Sequence, residues 1–389
     1  MENEMIAKGK QYVMGTYAQA PVVIESGEGV YLTGNTGKKY LDMVSGIAVN
    51  SLGYNHPAVV NAIKEQAEKL IHISNLYWNE PQIALAEKLC KTSGLGKAFF
   101  CNSGAEANES AIKLARKYGN GRSTIITMVQ SFHGRTLGSL TATGQTKYQK
   151  GFAPLPGGFK YTEANNIAML DEMIDDDTCA IMLEVIQGEA GVINLSEDFL
   201  KHVQEVCAEK DMLFIIDEVQ TGMGRTGYAF AHQVYDLSPD IVTMAKAIAG
   251  GVPMGAMLAK DKVAAAFQPG DHASTFGGGP LASHVACAVA DVIFDEAFLK
   301  DVQDKGAYFA SQLETLVDGK NSLAVRGRGL MLGLLMSDET DMGAIVEACR
   351  NEGVLICTAG KHVLRFVPPL VITKEEIDEC IAILKKVLA

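Results

Sequence analysis

Several features are missing from this chain, and each absence removes a class of protein. It has no basic run: 34 Lys and Arg are scattered among 46 Asp and Glu, for a formal net charge of -12. That balance is wrong for gripping phosphate backbones or anionic lipid, so no nucleic-acid and no membrane partner is expected. No apolar stretch reaches the ~18 residues of a membrane span, and Met1-Glu2-Asn3-Glu4-Met5 lacks the basic start and apolar segment of an export signal. A cytoplasmic protein is the expectation. The eight cysteines, spread from Cys90 to Cys380, form no C-x-x-C pair and have no His at zinc-finger spacing. That pattern predicts reduced, mostly buried thiols and no metal site. No internal repeat or low-complexity segment is evident.

What is present is a large apolar fraction, 48% of 389 residues, enough to bury a sizeable core in two domains or one large domain with a smaller one attached. The chain is organised around the stretch from Met212 to Gly250. It opens with the apolar run Met212-Leu213-Phe214-Ile215-Ile216, stopped by Asp217-Glu218-Val219-Gln220. It closes with Asp240-Ile241-Val242-Thr243-Met244-Ala245, stopped by Lys246 and small residues. Short runs of this kind read as buried parallel strands, which places Asp217 and Lys246 together at carboxyl ends, where open α/β sheets bind ligands. An acid and a lysine at one edge suit a pyridine aldehyde cofactor: the lysine condenses with the aldehyde and the acid holds the ring nitrogen protonated.

Around this stretch the pattern changes twice. Residues 28 to 43 carry a hairpin signal, and helical spacing follows at Ala58 to Ile71 and Gln82 to Cys90. From about residue 95, strand candidates (Ala98–Phe100, Thr124–Thr127, Cys179–Leu183, the two runs above and Gly255–Leu258) alternate with helical patterns at Ala107 to Tyr118 and Phe199 to Lys210. This alternation predicts one mainly parallel sheet with helices packed on it. One long helical pattern is predicted from Leu281 to about Leu316. Short strands at Leu323–Arg326, Leu330–Met336 and Val363–Val367 then mix with helices at Met342–Glu352 and from Lys374, an α+β arrangement. The expected division is residues 1–50 packing with the small domain, 51–285 as the large domain and 286–389 as the small α+β domain.

Five motifs carry chemistry, each with an ordinary alternative. Phe99 to Glu109 joins a strand to a helix start with Ser103 and Glu106 at capping-box spacing, either a phosphate cradle or a plain capped helix. In Ser131 to Thr136, the aromatic, His133 and Arg135 offer a stacking face and a carboxylate grip; singly they read as core, a satisfied polar group and a surface ion pair. Gly222-Met223-Gly224-Arg225-Thr226-Gly227 matches G-x-G-x-x-G, but it stands too far from Ile216 to turn straight from strand into helix and reads as a loop. Acids in Glu184 to Gly191 have a solvated loop as their ordinary reading. His272 to Pro280 is a flexible loop that offers hydroxyls to an anion or is simply a turn.

Taken together, Asn102-Ser103-Gly104-Ala105-Glu106-Ala107-Asn108, Phe132-His133-Gly134-Arg135-Thr136, Gln187-Gly188-Glu189, Asp217-Glu218-Val219-Gln220-Thr221-Gly222 and Lys246 resemble the class III, pyridoxal-phosphate-dependent aminotransferases. The similarity runs from about Tyr17 to Pro369, and within the class it leans to the acetylornithine and ornithine aminotransferases. It implies the fold type I architecture of pyridoxal-phosphate-dependent transferases: α/β, a large mainly parallel sheet domain with a smaller α+β domain.

The resemblance also implies roles. Lys246 bonds the cofactor and, once freed by the substrate amine, moves the proton between Cα and the cofactor carbon. Asp217 pairs with the pyridine nitrogen, Phe132 and Val219 pack on the ring faces, and Gln220 bonds the phenolic oxygen. Ser103, Gly104 and Ala105 hold the phosphate, and Thr275 reaches the phosphate in a neighbouring subunit, so a homodimer with shared sites is implied. Arg135 takes the α-carboxylate of an ornithine-type donor, Arg365 takes that of glutamate, and Glu189 covers Arg365 when the monoacid reacts. Tyr17 assists carboxylate binding. Ile47 stands where ornithine aminotransferases carry an aromatic, which favours N-acetylornithine as donor with 2-oxoglutarate as acceptor, in arginine biosynthesis. Ornithine, succinylornithine and 4-aminobutyrate are the alternative donors, and an aminomutase or racemase and a nicotinamide-dependent oxidoreductase are the alternative chemistries. Val185, Gly279 and Ala247 depart from the usual proline, asparagine and glycine.

Overall fold

The computed structural model describes residues 2–389. Its centre is a seven-stranded sheet in the spatial order Lys97–Cys101, Gly255–Ala259, Ile241–Met244, Leu213–Asp217, Thr178–Leu183, Thr124–Met128, Phe159–Thr162. Gly255–Ala259 runs antiparallel to both neighbours, and the other strands run parallel. The strands at the centre are buried along their whole length, which is why they read as unbroken apolar runs rather than alternating ones. All six expected strands are present. The seventh, Phe159–Thr162, was not expected, because Phe-Lys-Tyr-Thr is short, half-polar and lies at the sheet's edge.

The register decides what the sheet presents. Asp217 is the last residue of its strand and pairs with Thr243 of the neighbouring parallel strand, so Lys246 lies three residues beyond the partner of Asp217. Both reach the same carboxyl edge. The helix Gly104–Tyr118 packs across this sheet on a face of Ala107, Ala111, Ile112, Leu114 and Ala115. Small residues on that face let the helix approach closely, so that its first turn opens on the edge holding Asp217 and Lys246.

The N-terminal hairpin, Tyr31–Gly34 and Lys39–Asp42, belongs to a four-stranded sheet completed by Val354–Leu355, which pairs parallel to Lys39–Asp42. Val30, Leu41 and Met43 share one buried cluster with Phe309, Leu334, Phe366 and Ile381. A second four-stranded sheet contains Ser322–Arg328, Met331–Met336, Val363–Phe366 and Cys357–Ala359. The long helix expected from Leu281 to Leu316 is two helices, Pro280–Ile293 and Glu296–Glu314. Asp295 ends the continuity: its backbone is extended and its carboxylate accepts from Phe298 N at 2.9 Å, capping the second helix. The helix Glu2–Tyr12 was not expected either, because it buries no residue and so carries no core-facing stripe.

Candidate active site

Asp217 is 3% exposed and accepts three hydrogen bonds. Asn108 Nδ2 and His133 Nδ1 each donate to Oδ2 at 2.7 Å, and Val219 N donates to Oδ1 at 2.9 Å. Burial alone would keep the His133 imidazole neutral, but the hydrogen bond and charge of Asp217, with the charge of Glu184, push its pKa above the ordinary value. His133 Nε2 is buried with no partner.

Glu184 is not the solvated loop acid that its place after a strand suggests. It is 5% exposed, and its carboxylate accepts from Phe132 N at 2.9 Å and Gly188 N at 3.3 Å. Burial raises its pKa to about 7, against the opposing charge of His133 and with that of Asp217. Two motifs that look independent in sequence, Ser131–Thr136 and Glu184–Gly191, are thus joined through this carboxylate.

A cavity of about 400 Å³ opens here, lined by Ser103, Gly104, Ala105, Phe132, Arg135, Asp217, Val219, Gln220 and Lys246. Nine residues expected from four separate motifs therefore meet in one space. Lys246 begins a short turn of 3-10 helix at φ 45°, a left-handed conformation that a lysine adopts only when its surroundings enforce it. Burial lowers its pKa; the charge of Glu189 opposes this and that of Arg365 reinforces it. A depressed amine is the nucleophilic form that condensation with an aldehyde needs.

At the helix start, Ser103 Oγ accepts from Glu106 N at 3.2 Å. The reciprocal half of the capping box is absent: Glu106 Oε2 accepts instead from Asn102 N at 2.5 Å, one residue earlier. Gly104 is required here, since a Cβ at that position would lie 2.7 Å from Val219 Cγ1. The first-turn N–H groups following Ser103 suit an anion, and the cavity between Phe132 and Val219 suits a flat ring. With an amine at Lys246 and a charged carboxylate at Asp217, these residues fit a pyridoxal phosphate cofactor.

Arg365, 2% exposed, lies beside this space. Its Nη1 donates to Glu189 Oε1 at 2.5 Å and to Gly188 O and Gln220 Oε1, each at 3.3 Å. Burial would raise the Glu189 pKa, but the charge and hydrogen bond of Arg365, with the charge of Lys246, hold it below the ordinary range. Glu189 also lines a second cavity of about 670 Å³ bounded by Gln145, Lys147, Lys361 and His362. Arg135 is exposed and, among the described residues, pairs with no acid; its guanidinium lies 3.8 Å from the ring centre of Tyr148 and 5.6 Å from that of Phe132.

Five expected site residues lie outside the cavity lining: Arg365 and Glu189, described above, and Tyr17, Thr275 and Ile47. Tyr17 is 77% exposed, Thr275 is exposed, and Ile47, 40% exposed, sits in a left-handed run from Ser45 to Ala48. Gly222 to Gly227 forms a loop of turns and not a helix start; Arg225 within it is buried and donates to Leu330 O at 3.0 Å and Pro368 O at 2.5 Å. Cys101 is buried and its thiol is pushed up to about 12 by that burial, so it stays protonated. Among the described residues no cluster of His, Cys, Asp and Glu is arranged to hold a metal ion, and no helix is long and apolar enough to cross a membrane.

The sequence pattern of the class-III aminotransferases matches residues 12–388. The chain is 53% identical to the acetylornithine aminotransferase of Caldanaerobacter subterraneus, with 99% of each chain covered. It is 52% identical to that of Aquifex aeolicus, over 97% of this chain and 100% of the relative. Among solved structures, the ornithine aminotransferase of Toxoplasma gondii superposes with a TM-score of 0.96 at 32% identity, covering 100% of this chain and 95% of that one. The acetylornithine aminotransferase of Elizabethkingia anophelis gives 0.90 at 36% identity, covering 100% and 98%. The chain belongs to the class-III aminotransferases, and its cofactor is pyridoxal phosphate.

Proposed function

We propose that the chain is an N-acetylornithine:2-oxoglutarate aminotransferase that works by a ping-pong exchange of the amino group and serves arginine biosynthesis. The observation that carries this reading is the unequal state of two arginines. Arg365 is buried and already paired with Glu189, whereas Arg135 is exposed at the cavity with no acid on it. A donor with one carboxylate and a distant amine needs one open arginine, and a diacid needs the second as well. The two relatives at 52–53% identity point to the same donor.

Bound pyridoxal phosphate supplies an aldehyde for the amine and an electron-withdrawing ring that stabilises negative charge at the substrate carbon. Lys246, the buried amine of the cavity, would hold the cofactor through its aldehyde and would be the base for the proton on the substrate carbon bearing nitrogen. Asp217 keeps the ring nitrogen protonated. Ser103, Gly104 and Ala105 would hold the phosphate, Phe132 and Val219 would flank the ring, and Gln220 would serve its phenolic oxygen. Arg135 orients the donor carboxylate. Glu189 neutralises Arg365 while the monoacid reacts and yields it to the second carboxylate of 2-oxoglutarate.

The working unit in this reading is a cytoplasmic homodimer with sites shared between subunits. Leu76, Tyr77 and Trp78 are 84%, 69% and 85% exposed, and Phe276 is 65% exposed. Asn75 Nδ2 donates to Ser274 O and Gly277 O, so these two segments form one apolar surface next to Thr275. A surface of that kind favours a partner, and a second copy would carry Thr275 to the neighbouring phosphate. Residues 1–50 pack with the small domain (286–389), and 51–285 form the large one. Tyr17 and Ile47 would contribute to the donor site from the N-terminal segment.

The test is a donor panel with 2-oxoglutarate. N-acetylornithine is expected to give the highest kcat/KM, ahead of succinylornithine, ornithine and 4-aminobutyrate. A higher value for any of the other three would replace the donor assigned here, and turnover without 2-oxoglutarate would point to an aminomutase or racemase.

A further inference from the structure

Asn108 is a polar residue on the buried, mainly apolar face of the helix Gly104–Tyr118, and its surroundings fix which way its amide points. Its Nδ2 lies 2.7 Å from the backbone carbonyl of His133, a group that only accepts, so the NH2 must face it. The second hydrogen of the same NH2 goes to Asp217 Oδ2 at 2.7 Å. At the other end Thr243 Oγ1 donates to Asn108 Oδ1 at 2.6 Å. Asn108 is 1% exposed and Thr243 0%, so both side chains are shut off from bulk solvent. An amide held this way offers Asp217 a donor and never an acceptor. Since His133 Nδ1 ends on the same oxygen, the acid proton has no place there.

We propose that Asn108, oriented by Thr243, is a positioning residue that holds the Asp217 carboxylate fixed toward the cofactor cavity. The helix that starts the phosphate cradle and the strand that leads to Lys246 are thereby both tied to the acid that serves the ring nitrogen. The inference rests on the role proposed for Asp217.

The test uses holoenzyme carrying Asn108→Leu, Thr243→Val, Thr243→Ser or Asp217→Asn. Three quantities are read: the dissociation constant for pyridoxal phosphate, the pH midpoint of the bound cofactor's absorbance, and kcat against donor KM. Asn108→Leu and Thr243→Val are expected to weaken cofactor binding roughly 10-fold and lower kcat roughly 10- to 100-fold with donor KM held. They should also move the pH midpoint in the same direction as Asp217→Asn. Thr243→Ser, which keeps the hydroxyl, should return all three toward the parent values. If both variants lower thermal stability but leave the dissociation constant and the midpoint within about twofold of the parent, the pair is a structural cross-link and the proposal fails. If Asn108→Leu does not fold, Thr243→Val decides alone, because it removes only a hydroxyl. A change in Asp217→Asn without one in the other variants overturns this inference but spares the reading of Asp217; no change in Asp217→Asn overturns both.

Discussion

Asp217 and Glu218 are neighbours at one strand end, and each is buried and paired with a histidine at 2.7 Å. Their partners differ. Glu218 spends both oxygens on one loop, accepting from Ala231 N at 2.6 Å, His232 N at 2.9 Å and His232 Nδ1. Asp217 draws donors from Asn108 and His133, both remote in sequence, and from Val219 N two residues on, and still lines the cavity. Equal burial and equal pairing therefore do not make equal roles: one acid staples a loop and the other presents a fixed charge to a ligand.

Breaking the two acids separately should show this. The largest effect is expected at the lysine that shares the cavity with Asp217, with Lys246→Ala lowering kcat by at least roughly 10³-fold; activity within tenfold of the parent would remove the lysine from the chemistry. Asp217→Asn is expected to lower kcat about 100- to 1,000-fold with little change in unfolding midpoint. Glu218→Gln should do the reverse, costing about 1–3 kcal/mol in urea unfolding while the pH profile of kcat/KM stays put. Equivalent kinetic losses in both variants would erase the distinction.

A smaller effect is expected from Glu189→Gln, which removes the charge covering Arg365. The variant should lose about tenfold in kcat/KM for a monoacid donor and little for 2-oxoglutarate, measured in separate half-reactions. The smallest effect lies in pH-dependent stability. Glu184 is raised from 4.5 to about 7, so the folded state binds more protons than the unfolded one across that window and stability falls as pH rises through it. The His133 contribution is likewise fully present below 6.5 and lost as pH rises through its higher folded value. Unfolding of Glu184→Gln should therefore show a flatter decline between about pH 4.5 and 7 than the parent; an unchanged slope would place the titration elsewhere.

The central strands were legible because burial on both faces leaves an apolar run that a polar residue ends, as at Asp217 and Lys246. Their register was not, since nothing in either run says that Asp217 faces Thr243. Phe159–Thr162 and Glu2–Tyr12 lacked a signal for opposite reasons, one being an edge strand too short for a period and the other a helix with no buried face. Asp295 carried a readable sign, a capping aspartate inside an apolar stretch, that helical spacing alone overrode. Among site residues, the motif positions converge on one cavity, but Asn108 and Glu184 act through contacts made far away in sequence. For Asn108 the available signal was an amide on a helix face made mostly of alanine, isoleucine and leucine. Tyr17, Ile47 and Thr275 rest on resemblance, and within one chain nothing brings them to the cavity.

The most direct measurement is a single turnover with stoichiometric N-acetylornithine and no 2-oxoglutarate. The amino group should pass to the enzyme once per site, releasing one equivalent of the donor's aldehyde and changing the cofactor absorbance. Adding 2-oxoglutarate should then restore the spectrum and yield one equivalent of glutamate. No aldehyde before 2-oxoglutarate is added, or the same yield from Lys246→Ala, would contradict the account.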